Sequence, residues 1–358
     1  LGNRGHAVSV SFVQRDNGLQ MLKYLLKRLS LLIPTLIGVA TLVFAMVALS
    51  PGDPARVMLG ERATKAQLEK IRAEMGLDRP LIEQYGIYMK NMVQLDFGES
   101  IKTGRKVMDE IKELYPATIE LAFFAMLFAT IVGIIIGVLS ATRRNTWIDY
   151  TSMVGALVGV SLPVFWLALV LIMIFSVGFD LLPTGGRINI RYYFEPMTNF
   201  YVIDSIIYLF REGDPKFLTS VLRHIILPAI ALGTIPLAII ARVTRSSMLE
   251  VLKQDYIKTA RSAGILENRV VYRYALKNAL LPVITIIGIQ FGLLLSGAIL
   301  TETIFAWPGI GKWLYKAIEA RDYPAVQGGV MVIATTFVLI NLVVDILYSL
   351  VNPKIRLQ

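Results

Sequence analysis

Several short motifs carry residue types that could do chemistry. Gly309, Ile310, Gly311 and Lys312 read GIGK, the end of a phosphate-binding loop in which backbone N–H groups cradle phosphates and a lysine reaches them. The full pattern needs a glycine where Ala306 stands and a magnesium-holding Ser or Thr where Trp313 stands, so no nucleotide site is expected. Pro308, Gly309 and Gly311 read instead as turn residues, with Glu302 and Trp307 at a membrane boundary. Ser161, after Gly159, offers a small hydroxyl for which His224 could act as base. No glycine follows Ser161, and a lone hydroxyl in an apolar helix usually packs or bonds to backbone, so proteolysis is not expected. His224 reads as a polar anchor at the interface. With Cys 0 and His 2, the chain has almost nothing to build a metal site from, and none is expected. Polar groups inside apolar stretches remain: Ser161, Gln290 and Asn341 are candidates for a translocation path or an intersubunit seam, or simply bond to neighbouring helices. Asp345 lies later in the last stretch, and Arg242 and Arg245 read as flank rather than as substrate ligands.

The elements that position these residues follow from composition. The chain is 55% hydrophobic and 17% charged, with a net charge of +10, which excludes an ordinary soluble or disordered protein. In so apolar a chain the positive excess marks loops facing anionic lipid and cytoplasm, and no nucleic acid is expected. A bilayer core needs about 20 apolar residues per helix. Stretches 31–49, 121–142, 150–179, 225–241, 278–301 and 324–344 meet this need, giving an all-α membrane protein with six transmembrane helices. The fourth contains Pro228 and Pro236, which suit a kinked helix. Basic residues before the first span, at Arg143 and Arg144, between Arg242 and Lys277, and at Lys354 and Arg356 put both termini inside.

Residues 1–20 are polar and aperiodic and read as a tag or disordered arm; 21–50 hold an interfacial segment and the first span. Met21 to Leu29 is either a short helix on the membrane surface or the first turns of that span with snorkelling lysines. Residues 51–115 read as an external helical subdomain, opened by a Thr64–Gln67 capping box that Gly76 can close. Within it, Leu81, Ile82, Tyr85, Tyr88, Met89 and Met92 form a helical face that must pack. Residues 116–353 form the core. Its external loop 180–223 is long and carries Tyr192, Tyr193 and Phe194, and loops of that length are commonly functional. Its cytoplasmic loop, 246–277, reads as two short helices broken at Gly264, and composition alone would suit a basic hairpin on anionic lipid. No internal repeat supports a duplicated secondary transporter.

The segment DYIKTARSAG followed by RVVYRYALKNALLPV resembles the EAA loop of permease subunits in bacterial binding-protein-dependent ABC importers, in their dipeptide/oligopeptide branch. Ala260 and Gly264 fall on the motif, Lys258 and Thr259 replace its first two residues, and its proline is displaced to Pro282. IPTLIGVATLVFAMVALSPGDPA, LPVFWLALVLI, ETIFAWPGIGKWL and RDYPAVQGG extend the likeness over nearly all of 21–358. The resemblance implies a type I ABC importer permease fold in the inner membrane, importing dipeptides or short oligopeptides. It implies that Asp255, Tyr256, Thr259, Ala260, Arg261, Ala263 and Gly264 dock as a coupling helix on a cytoplasmic ATPase. The implied partners are a second homologous permease, two ABC ATPases carrying ATP and Mg, and an extracytoplasmic solute-binding protein, which Tyr192, Tyr193 and Phe194 are expected to touch. No cofactor is expected on this chain. Nickel, oligosaccharide or another solute remain alternative cargoes, and a secondary transporter an alternative mechanism.

Overall fold

The computed structural model describes residues 30–49, 54–59, 63–74, 76–296 and 298–351. The arm at 1–20 and the segment Met21 to Leu29 lie outside the described residues. Among the described residues five helices are long and apolar enough to cross a membrane, and one bent helix pair passes the same test when its two halves are taken together.

The first, α1 (Ser30–Leu49), leads into α2 (Pro54–Leu59), α3 (Lys65–Glu74) and α4 (Leu81–Val93). The capping box at α3 forms: Gln67 Oε1 accepts from the Thr64 N–H at 2.9 Å, and Gly76 follows at φ 68°. Tyr85 and Tyr88 of α4 pack on Phe44 of α1, with ring centroids 5.3 and 5.6 Å apart, whereas Leu81 and Ile82 stay exposed. A tight turn that pairs Glu99 with Lys106 then opens α5 (Val107–Thr142). This 36-residue helix is about 54 Å long at 1.5 Å per residue and runs through the expected boundary at 115/116 without a break.

The stretch 150–179, expected as one span, is two helices, α6 (Trp147–Ser161) and α7 (Val164–Gly178), meeting at 105°. Pro163 causes the bend: it lacks an N–H for the helical ladder and holds Leu162 extended at ψ 132°. After α8 (Tyr201–Glu212), α9 (Lys216–Val251) stays continuous through Pro228 and Pro236. α10 (Asp255–Ser262) and α11 (Glu267–Leu295) follow. The expected span 278–301 is shifted: α11 begins earlier and stops at Leu295, and Thr301 belongs to a separate α12 (Ile299–Ile304). α13 (Ile310–Glu319) and α14 (Tyr323–Val351) complete the bundle.

α5 and α9 form its centre, and glycines set their distance. A Cβ on Gly133 would lie 2.9 Å from the Leu237 carbonyl oxygen, on Gly137 2.7 Å from that of Ala241, and on Gly233 2.6 Å from that of Ala125. The two backbones therefore touch through small residues, as tightly packed membrane helices do.

Candidate functional site

At one end of the bundle, residues 251–275 fold back on the spanning helices. α10 ends in a Schellman motif: the Ile265 N–H donates to the Ala260 carbonyl at 3.2 Å and the Gly264 N–H to Arg261 at 3.0 Å, with Gly264 at φ 75°. A Cβ on Gly264 would meet nothing within 4 Å, so its backbone conformation alone demands glycine. Ile257 and Ala260 are buried among Val138 and Ala141 of α5, Met248 of α9, and Val270, Val271, Ala275 and Ala279 of α11. Of the residues expected to meet an ATPase, Asp255, Tyr256, Thr259, Arg261, Ala263 and Gly264 are exposed together. Ala260, 7% exposed, faces the opposite way, because its small side chain lets α10 settle on its own core. Arg261 forms a forked, exposed ion pair with Glu267 (2.6 and 3.1 Å). Nearby, Arg245 donates to both oxygens of Asp149 at 2.7 and 2.8 Å, and Ser140 joins them, so Arg245 ties α9 to α6 and α5.

The other end is built around buried charge. Arg187 and Glu120 pair at 2.7 Å with side chains 4% and 3% exposed. The second Glu120 oxygen accepts from the Val202 N–H at 2.7 Å; Arg187 also donates to the Asn199 carbonyl and lies 3.7 Å from the Tyr201 ring centroid and 5.5 Å from that of Trp307. Trp307 and Glu302, expected at the boundary, are instead fully buried. The Trp307 Nε1–H donates to the Ala117 carbonyl at 2.9 Å. The Glu302 carboxylate accepts from the Thr118 hydroxyl at 2.7 Å and the Lys312 N–H at 2.8 Å, and a Cβ on Gly309 would come within 2.2 Å of its carboxyl carbon. GIGK thus does cradle an acidic group, but one supplied by its own chain. Burial pushes the Glu302 carboxyl above the usual glutamate range, against the lowering effect of those donors.

In loop 180–200, Tyr192 and Phe194 turn inward onto Phe217 (5.9 and 5.4 Å), while Tyr193 projects, 83% exposed. Ser161 sits at the α6–α7 bend and its hydroxyl donates to Leu157 at 2.9 Å. A cleft of about 240 Å³ between α6 and α9, lined among others by Thr151, Gly159, Thr234, Leu237 and Ala238, does not include Ser161. Gln290 and Asn341 are half-buried on α11 and α14, which pack together: a Cβ on Gly292 would lie 3.7 Å from Asn341 Oδ1. His224 bonds to the Ser220 carbonyl at 2.7 Å through Nδ1.

Residues 133–357 match the family described as binding-protein-dependent transport system inner membrane component, and 21–122 match the N-terminal part of such membrane components. The chain belongs to this family. Both matches reach into α5, so one continuous helix joins the two parts of the permease. The di/tripeptide transport system permease protein of Pseudomonas aeruginosa is 51% identical over 339 residues, covering 94% of this chain and 100% of the relative. The dipeptide transport system permease protein of Escherichia coli is 49% identical over 340 residues (94% and 99%), and the glutathione transport system permease protein of the same species 42% over 336 residues (94% and 99%). This is a multi-pass inner-membrane permease, and the bent α6–α7 pair, α10 and the GIGK cradle all fall within the 133–357 match.

Proposed function

We propose that this permease imports dipeptides or short oligopeptides, working with a second homologous permease, two cytoplasmic ATPases and an extracytoplasmic solute-binding protein. The named cargoes of its relatives support the substrate class. The basic residues between Arg242 and Lys277 support placing the α10 end in the cytoplasm.

The observation that carries the mechanism is the two-sidedness of α10. Asp255, Tyr256, Thr259, Arg261, Ala263 and Gly264 are free to enter a partner's groove, while Ile257 and Ala260 grip α5, α9 and α11. Closure of two ATPases around their ATP moves that groove, and the grip passes the motion to three spanning helices at once, biasing inward-open against outward-open states. Hydrolysis belongs to the partners, since the GIGK N–H groups of this chain already serve Glu302. Tyr193 is the reading's contact for the binding protein, with Tyr192 and Phe194 as its anchors. Ser161, Gln290 and Asn341 line the path or the seam with the second permease, each too weakly polar to hold cargo firmly, which leaves selection to the binding protein.

Purification of the complex through this chain, with ATPase and peptide-uptake assays, tests the reading. Gly264→Val forces a β-branched residue into a left-handed conformation and is expected to lose ATPases or uncouple hydrolysis from uptake. Normal peptide uptake by this variant overturns the coupling role, and uptake unaffected by competing dipeptides overturns the cargo.

A further inference from the structure

Resting on that reading, we propose that Arg187 is a positioning residue for binding-protein-stimulated ATP hydrolysis: it joins the external loop to the outer ends of the two helix paths whose inner ends grip α10.

Arg187 stands at the centre of the outer joint. Arg187 leaves the loop at Gly185 and Gly186, where the backbone presses on the segment beyond α11: the Gly186 N–H donates to the Phe305 carbonyl at 2.8 Å, and a Cβ on Gly185 would lie 2.4 Å from that oxygen. Its guanidinium then pairs with Glu120 on α5, bonds to Asn199 at the far arm of the same loop, and faces the rings of Tyr201 and Trp307. Trp307 lies in the segment following α11 and is pinned to α5 by its bond to Ala117.

Both helices reach the other end. On α5, Val138 and Ala141 lie about 27 and about 32 Å from Glu120 at 1.5 Å per residue and pack on Ile257 and Ala260. On α11, Val270, Val271, Ala275 and Ala279 pack on the same two residues. A displacement of loop 180–200 by a docking protein therefore acts on α5 through Glu120 and on α11 through Trp307, in whose buried cluster Leu294 of α11 packs, and both helices terminate on α10. A planar, stacked, buried guanidinium transmits such a displacement better than a flexible ammonium, because its plane is held against the Tyr201 ring while Nη2 bonds both Glu120 and Asn199, which fixes direction as well as distance.

The test uses the whole complex in nanodiscs, with ATPase measured with and without saturating binding protein and the affinity for binding protein measured separately. Arg187→Lys keeps the charge and loses the planar stack on Tyr201. Its stimulation is expected to fall about fivefold or more, with basal rate and affinity within about twofold of the parent. The paired variant Arg187→Met with Glu120→Leu, which removes both charges together, is expected to assemble and to be as poorly stimulated. Full stimulation in either assembled variant overturns the inference. Weakened docking with full stimulation at saturation also overturns it, since Arg187 would then act at the contact. A parent complex that lacks ATPases, or ignores the binding protein, overturns the underlying reading and the inference with it; a normally stimulated parent with unaltered variants overturns the inference alone.

Discussion

Loop 180–200 and α10, at the two ends of the bundle, are held by opposite means. At the Trp307 end the fastenings are polar and buried: Arg187 on Glu120, Glu302 in its N–H cradle, Trp307 on Ala117. α10 itself is fastened by an apolar cluster around Ile257 and Ala260, with the charges of Arg261 and Glu267 left in solvent and the Asp149–Arg245 pair kept to the spanning helices beside it. Buried hydrogen-bonded charge is directional and intolerant of half-removal, whereas apolar contact is non-directional and permits small sliding. The difference teaches which end is built as a fixed joint and which as a seat that can shift under load.

The largest test of that contrast is Glu120→Ala, which strands Arg187 in the interior. A loss of about 3–5 kcal/mol is expected in denaturation of the detergent-purified protein. Ile257→Ala should cost about 2–4 kcal/mol as a cavity, yet act locally, raising proteolysis near Gly264 before the bundle melts. A global loss equal to that of Glu120→Ala would erase the contrast.

Glu302 sharpens it through pH. Because its folded value is raised above the ordinary 4.5, the folded protein holds a proton there that the unfolded chain has released. That contribution is full below the ordinary value and is lost as pH rises through the raised one. Melting curves across this window should decline with pH by at most about 1.4 kcal/mol per unit, and Glu302→Gln should remove the slope. The smallest effect belongs to Arg261→Ala. It breaks an exposed pair and should cost roughly 0–1 kcal/mol in the isolated permease, shrinking further with salt. A loss of several kcal/mol would mean that charge also holds α10 itself.

Much of the architecture was legible in hydropathy, since a bilayer demands long apolar helices, and the break at Gly264 was legible because few other residues close a helix so readily. The buried polar groups were missed for a specific reason. A search for uncharged windows stops at Leu121, at Tyr150 and at Thr301, and the next residues outward are Glu120, Asp149 and Glu302. Each charge that bounded a window turned out to be a fastening of the bundle. Their partners, Arg187, Arg245 and Thr118, lie far along the chain, and no local spacing announces the pairing. Ala260, which the resemblance puts on the docking helix, is small, and small size serves close packing against the chain's own core. For Tyr192 and Phe194, aromatic clustering signalled packing rather than display. Pro163 did carry the signal for the α6–α7 bend, since the residue before a proline avoids helical geometry.

The glycine contacts between α5 and α9 have a mechanical meaning. Two rods whose backbones touch at three places along their length have no free rotation or slide between them, so they behave as a single beam. Any rocking of this subunit must then be taken up elsewhere, where the helical ladder is interrupted, as at the Leu162–Pro163 elbow and the left-handed turn of Gly264. The subunit is in this sense a stiff shaft on bearings, and stroke length is set at the bearings rather than in the shaft.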